Sequence, residues 1–482
     1  MSSKPLGDLL AGHARLMAGP ERLAVSGLTA DSRKVTPGAL FVAVPGTHAD
    51  GARFIADAVK KGAVAVLMEP VAPPPALPEG VALAFSLDVR LSLARAAARF
   101  HARQPKVIAA VTGTAGKTSV AYFLRHIWAS LGHQAAYLGT LGLVTARETT
   151  YGGLTSPDPV GLHEMLDRLA GEGVTHMALE ASSHGLDQRR MDGVRLAAGG
   201  FTNLGRDHLD YHPTVEAYYR AKLRLFTELL PEGAPAVALT EAPYGATTLA
   251  FARTRGLPTL AIGPGGDMDV RSIGADGLGQ RIEIGGAPPV HLPLMGRFQA
   301  DNALLAAGLA EACGAERDAV LAALATLPGV PGRLERVGED PDRVVFVDYA
   351  HKPEALAAVL DTLRPAVRGR LVVVFGCGGD RDAGKRPLMG RIAVEKADRV
   401  IVTDDNPRSE VPAAIRAEIL AAAPGALEIG DRAEAISVAV GELQSGDVLV
   451  VAGKGHETGQ IMGDRTLPFS DGEAVRAALQ HF

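Results

Sequence analysis

The chain has 482 residues, 49 Lys and Arg against 54 Asp and Glu, and only two cysteines. That length predicts about three domains with ample material for cores, and the mildly acidic balance, with no basic block or aromatic-interleaved stripe, argues against nucleic-acid binding. Cys313 and Cys377 lie too far apart in sequence to suggest a disulfide framework, no apolar run reaches membrane-spanning length, and Asp8, His13 and Arg15 interrupt any leader-like stretch, so a cytoplasmic protein without membrane insertion is expected.

Residues 1–104 alternate short strands with helical pieces. Within them, Thr29 to Gly46 reads as a loop followed by a buried strand ending in Pro-Gly. Asp31, Ser32 and Arg33 either bind a ligand or close a turn, and residue type alone favours the turn. Phe100 to Pro105 reads as a linker. After it, Val107 to Val111 is a short β-branched apolar run, Gly113 and Gly116 permit a sharp turn, and Val120, Phe123, Leu124, Ile127 and Leu131 recur at helical spacing before Gly132. The Thr112-Gly-Thr-Ala-Gly-Lys-Thr118 turn lacks the first glycine of the full phosphate-loop pattern, Val111 standing there. Strand, two glycines, Lys-Thr and an amphipathic helix in that order nevertheless predict a nucleotide phosphate on the helix N-terminus, with Lys117 beside it and the Thr118 hydroxyl available to Mg²⁺.

Two further strands, Val174 to Glu180 and Gly199 to Asn203, end in polar loops. Strand ends of a parallel sheet open onto one crevice, so Glu180 and His208 become candidate Mg²⁺ ligands with Thr118. Ser182, Ser183 and His184 lack the Gly-x-Ser-x-Gly surroundings of a hydrolase nucleophile. Lys222 lies in a helix, where a lysine is ordinarily solvated. Residues 257–293 read as an antiparallel insertion, and Pro328 to Arg333 as a second linker. Beyond it, four strands end in polar loops rich in glycine, predicting a doubly wound domain with its ligand loops on one rim. Arg408, stiffened by Pro407 and near Arg381, Gly453 and Glu457, suits a zwitterionic ligand because its planar fork matches a carboxylate.

Taken in order, Asp31-Ser-Arg33, Thr112 to Thr118, Glu180-Ala-Ser-Ser-His-Gly-Leu186, Asp207-His-Leu-Asp-Tyr-His212, Asp348-Tyr-Ala-His-Lys-Pro353, Gly378-Gly-Asp-Arg-Asp382, Asp405-Asn-Pro-Arg408 and Gly453-Lys-Gly-His-Glu457 resemble the Mur ligase family of bacterial cell-wall peptide ligases, over nearly the whole chain. The resemblance implies an α/β protein of three domains. Residues 1–104 would bind a uridine nucleotide, 105–329 would form a P-loop-type ATPase domain with a parallel sheet, and 330–482 a Rossmann-like domain for the incoming amino acid. It is closest to the diaminopimelate-adding members, which implies ATP and Mg²⁺ as cofactors, UDP-N-acetylmuramoyl-L-alanyl-D-glutamate and meso-diaminopimelate as substrates, and a monomer.

The resemblance also assigns roles residue by residue. Ser32, Thr47 and His48 would touch the uridine diphosphate, and Thr155, Ser156, Ser182, Gln188 and Arg190 the muramoyl peptide. Gly113, Thr114, Ala115, Gly116, Lys117, Thr118 and Ser119, with Asn302, Arg333 and Asp348, would hold ATP. Thr118, Glu180, His208 and a carbamylated Lys222 would hold Mg²⁺, and Arg381, Asp405, Asn406, Pro407, Arg408, Gly453 and Glu457 diaminopimelate. Ala115 replaces the usual asparagine and Ser156 a frequent threonine. A related folylpolyglutamate synthase would lack the Asp31-Ser-Arg33 domain, and a non-catalytic relative would be expected to lose some of Lys117, Thr118, Glu180, His208 and Lys222.

Overall fold

The computed structural model describes residues 3–46, 50–150, 154–338, 340 and 343–481; Thr47 and His48 therefore lie outside the described residues. Contacts gather the chain into two compact units, one running to Asp269 and including Leu304–Val320, the other comprising Val270–Ala303 and everything from Leu321.

The first unit holds two larger sheets besides the two-stranded pair of Lys4–Pro5 with Ala24–Val25. Near the N-terminus, strands Arg15–Ala18, Ala82–Phe85, Ala65–Met68, Ala39–Val42 and Gly27–Thr29 lie side by side in that order, all parallel except the first. The larger sheet places Ala135–Gly139, His176–Glu180, Val107–Thr112, Ala198–Phe201, Ala236–Leu239 and Thr259–Gly263 in parallel. Its strands are buried on both faces, which is why they read as continuous apolar runs rather than alternating ones. The central strand Val107–Thr112 carries helix Lys117–Ser130, whose Val120, Phe123, Leu124 and Ile127 are fully buried, and Gly132 leaves it at φ +85°.

One expectation changes here. Thr259–Gly263 is a parallel strand of the main sheet, beside an unforeseen strand at Ala236–Leu239, and within 257–293 the antiparallel pairing is confined to Met268–Asp276, Gly279–Ile284 and Val290–Leu292. The glycines and prolines around these runs mark turns equally well for a hairpin and for a crossover, so the pattern could not separate the two.

The second unit is built on a sheet ordered Glu335–Val337, Val344–Asp348, Val448–Ala452, Leu371–Phe375, Arg399–Val402 and Leu427–Glu428, parallel apart from the first strand. Alternate residues serve two cores. Phe346, Val373 and Val450 pack with Leu356, Leu360 and Met389, whereas Val347, Val374 and Val451 pack with Ile436, Val440 and Val475. Two apolar faces on one parallel sheet require helices on both sides, the doubly wound arrangement expected from the strand spacing.

Candidate active site

Parallel register builds the surroundings of the Thr112–Thr118 turn. Glu180 pairs with Val111 on one side of the central strand and Phe201 with Thr112 on the other, so the loops after all three strands emerge together. Gly113 has φ +144°, and a Cβ there would lie 1.9 Å from the Thr202 hydroxyl. Gly116 caps helix Lys117–Ser130 at φ +86°. Only glycine combines such angles with so close a neighbour. The Thr114 and Ala115 amides donate to the carbonyl and side-chain oxygens of Asn203 at 2.9 and 3.1 Å, and the Ala115 carbonyl accepts from the Thr202 hydroxyl at 2.6 Å. Position 115 thus acts through its main chain, in keeping with an alanine there. The first amides of the helix have no carbonyl one turn back and so can receive an anion.

Lys117 Nζ donates to the carbonyls of Gly113 and Thr114 at 3.0 and 2.9 Å. Lys222 Nζ donates to the same Gly113 carbonyl at 2.6 Å and lies 4.2 Å above the Tyr218 ring. Contrary to its reading as a solvated helix residue, Lys222 is 1% exposed. Helix Val215–Arg224 turns this position inward together with Tyr218 and Tyr219. Burial, reinforced by the Lys117 charge, holds the Lys222 amine well below the usual lysine range, with Asp207 opposing.

Glu180 is buried and well satisfied. Its Oε1 accepts from the Tyr137 hydroxyl and from the Thr140 amide at 2.8 Å, and its Oε2 from the Thr140 hydroxyl at 3.1 Å. Thr140 in turn meets the Thr155 hydroxyl at 3.2 Å. His208, at φ +53°, is exposed beside Asp207, and its ring lies 4.9 Å from that of His184. Among the described residues no three His, Cys, Asp or Glu side chains converge on a metal position. The hard oxygen donors of Thr118 and Glu180 nevertheless fit Mg²⁺, an ion that commonly keeps several waters and takes phosphate oxygens alongside one or two protein ligands.

The predicted peptide-binding residues also assemble. Ser156 Oγ donates to the Glu180 carbonyl at 3.0 Å, lies 3.1 Å from Ser182 Oγ and accepts from the Ser182 amide. Arg190 donates to the Ser156 carbonyl at 2.7 Å and, through two nitrogens, to Gln188 Oε1. Its hydrogen bonds thus go to neutral oxygens. In the N-terminal sheet's loop, Asp31 accepts from the Arg33 amide, pairs with the Arg33 guanidinium at 2.8 Å and caps a short 3-10 turn containing the buried Ser32. That is the turn chemistry favoured from residue type.

In the second unit, a cavity of about 590 Å³ opens at the C-terminal strand ends, lined by residues that include Arg381, Asp405, Asn406, Arg408, Gly453 and Glu457. Arg408 stands at φ +52°. Its main chain exchanges bonds with Ile461 and Gly463 at 3.0 and 2.7 Å, and its guanidinium donates to the Gly379 carbonyl at 2.8 Å. Asn406 donates to Glu457 at 2.8 Å, and the fully buried Lys454 bonds both side chains. Pro407 sits in the same loop, its carbonyl so close to Gly379 that a Cβ there would lie 1.9 Å away. Nearby, Asp348 accepts from the amides of Leu334 and Ala350, and burial pushes its carboxyl up to about 6, with Arg333 and those two amides pulling the other way. Arg333 stacks on Tyr349 at 4.7 Å, and Asn302 is buried one turn after Gln299, which donates to the Arg333 carbonyl.

Sequence reasoning missed Tyr137 and Thr140, which brace Glu180, and Arg386, a buried guanidinium tying Glu410 and Glu418 beneath the Arg408 loop. No spacing rule reaches them, because their partners come from other strands and loops.

Family models cover most of the chain. The Mur ligase family catalytic domain matches residues 24–101, the Mur ligase middle domain 111–310 and the Mur ligase glutamate ligase domain 332–455. The chain belongs to the Mur ligase family. It is 56% identical to the UDP-N-acetylmuramoyl-L-alanyl-D-glutamate--2,6-diaminopimelate ligase of Bradyrhizobium diazoefficiens, over 98% of this chain and 99% of that one. The ligase of the same name from Mesorhizobium japonicum is also 56% identical, over 95% of each chain. A solved structure of a protein with that name superposes over the full length of both chains with a TM-score of 0.76 at 33% identity. Within this Mur ligase, Ser156, Ser182 and Arg190 sit on the loops that flank Glu180, and no helix among the described residues is long and apolar enough to cross a membrane.

Proposed function

We infer that the chain is an ATP-dependent amide ligase that joins meso-2,6-diaminopimelate to the D-glutamate γ-carboxylate of UDP-N-acetylmuramoyl-L-alanyl-D-glutamate, in the cytoplasmic part of peptidoglycan synthesis, and that it acts as a monomer. The observation that carries this reading is the full-length match to relatives bearing that name, in a chain that keeps Lys117, Thr118, Glu180, His208, Lys222 and Arg408. Three domains, 1–104, 105–329 and 330–482, would hold the uridine nucleotide, ATP and the amino acid.

The first amides of helix Lys117–Ser130 and the Lys117 ammonium hold the transferring phosphate and neutralise its charge. Thr118, Glu180, His208 and a carbamylated Lys222 would hold Mg²⁺, which when bound supplies further positive charge to the phosphates. Lys222 is chemically suited to that modification. Its depressed pKa favours the neutral amine, whose lone pair adds to CO₂ with loss of a proton, converting a buried amine into a carboxylate-like anion beside Lys117. Asn302, Arg333 and Asp348 would contact the rest of the nucleotide.

Thr155, Ser156, Ser182, Gln188 and Arg190 hold the muramoyl dipeptide, the Arg190 fork being available to a carboxylate. The glutamyl γ-carboxylate attacks the γ-phosphorus of ATP, giving an acyl phosphate and ADP. Diaminopimelate, held by Arg381, Asp405, Asn406, Arg408, Gly453 and Glu457, then attacks the acyl carbon with its amine. The tetrahedral intermediate expels phosphate to leave the amide. Ser32, with Thr47 and His48, would anchor the uridine diphosphate end.

Incubation with ATP, Mg²⁺, the nucleotide dipeptide and diaminopimelate is expected to yield ADP, phosphate and the nucleotide tripeptide in equal amounts, read by liquid chromatography and mass spectrometry. ADP formed at an undiminished rate without diaminopimelate, and with no tripeptide, would contradict the ligase reading.

A further inference from the structure

Glu180 has fewer ways of meeting a cation than its two oxygens suggest. A carboxylate offers about four lone-pair sites. Oε1 accepts from the Tyr137 hydroxyl and the Thr140 amide, and Oε2 accepts from the Thr140 hydroxyl. Three sites are filled from within the protein, and the remaining one is on Oε2. The arrangement is tightly specified. Tyr137 pairs with Ala178 on the neighbouring parallel strand, which brings its ring to the face that carries Glu180 two residues further on. The Leu141 amide donates to the phenol oxygen at 3.2 Å, leaving the phenol proton for Glu180, and Tyr122 packs edge-on against the ring at 5.8 Å. Gly139 closes the remaining side, since a Cβ there would lie 2.1 Å from Oε1.

We propose that Glu180 meets a divalent ion through Oε2 alone, and that Tyr137 is a positioning residue which occupies Oε1 and fixes the plane of the carboxylate. The proposal rests on the reading of this loop as the metal and ATP site of a ligase. A second consequence concerns the Thr155–Thr140–Glu180 hydroxyl chain, which links a predicted peptide-binding residue to the oxygen that faces the ion. Tyr137 keeps its ring but loses its donor in Tyr137→Phe, so packing is preserved while Oε1 is released to turn.

The test uses Mn²⁺ as the probe, counting free ion by electron paramagnetic resonance in the presence of protein and ADP. Tyr137→Phe is expected to weaken Mn²⁺ binding about tenfold, the effect of losing one hydrogen bond to a charged group, with metal-free ADP affinity and melting temperature close to those of the parent. Thr140→Val should weaken it similarly, and Thr140→Ser should restore it. This pair carries the test if Tyr137→Phe folds poorly. Mn²⁺ affinity equal in Tyr137→Phe and a parent protein that is an active ligase would overturn the positioning role and leave the ligase reading intact. An equal loss of metal-free ADP affinity would also overturn it, by showing that the loop as a whole had moved. A parent protein that binds no Mn²⁺ with ADP would overturn both readings.

Discussion

Lys222→Ala is expected to lower ligase turnover by more than about a hundredfold, the scale on which removal of a preorganised charge-stabilising group acts. The side chain is 1% exposed and donates to the Gly113 carbonyl inside the Thr112–Thr118 turn, so its loss removes a group from the turn's interior. Lys222→Arg separates the two possible reasons for the effect. A guanidinium keeps the positive charge but cannot lose its proton at neutral pH, and so cannot form a carbamate. Both variants should therefore be nearly inactive, as measured by steady-state ADP release, while the parent enzyme should gain activity from added bicarbonate after CO₂ depletion. Substantial turnover in Lys222→Arg would exclude the carbamate and leave Lys222 as a simple cation.

The second large effect is expected at Arg408. Its left-handed backbone is held by the main-chain bonds to Ile461 and Gly463, and the facing loop approaches through glycines. At Gly378 a Cβ would lie 2.8 Å from the Arg408 guanidinium. Arg386 ties the base of the same loop, donating to both Glu410 oxygens at 2.9 Å and to Glu418 at 3.0 Å. The guanidinium is thus presented by a braced loop, where it bonds main-chain carbonyls. Diaminopimelate and lysine both carry an ammonium at the far end, but only diaminopimelate adds a carboxylate there that can exchange for those carbonyls, so lysine would face Arg408 with an uncompensated, repelled ammonium. Arg408→Ala is expected to raise the KM for diaminopimelate more than tenfold, about 1.5–3 kcal/mol for a charged hydrogen bond. A variant with unchanged KM would show that the far carboxylate is held elsewhere.

The Thr112–Thr118 turn and the strand-end loops were legible in the sequence because each is a local pattern. Gly113, Gly116 and Lys117 lie within five residues, and the buried strand before them is a continuous apolar run. Arg408 was legible for a similar reason, a stiff loop following a strand. Lys222 could not be read from residue type, since a lysine in a helix is ordinarily solvated, although helical spacing from Val215, Tyr218 and Tyr219 puts it on the apolar face; the Gly113 carbonyl shows what it meets there. Tyr137 belongs to a strand whose composition, Ala-Ala-Tyr-Leu-Gly, carries no chemical signal. Its significance comes from a parallel pairing with residues some forty positions later, which register alone creates. The Arg432–Asp471 ion pair, fully buried and bonded to the Ala452 carbonyl, was hidden in the same way. Long-range support of this kind cannot be inferred from the spacing of one segment.

The central claim is tested most directly by ADP release from the purified protein with ATP, Mg²⁺ and UDP-N-acetylmuramoyl-L-alanyl-D-glutamate, comparing meso-diaminopimelate with L-lysine as the acceptor. Turnover that depends on diaminopimelate and is absent with lysine is the predicted result, and it would support the ligase reaction and the role of Arg408 together. Equal turnover with lysine would contradict the selectivity assigned to the Arg408 loop, and no turnover with either acceptor would contradict the ligase assignment itself.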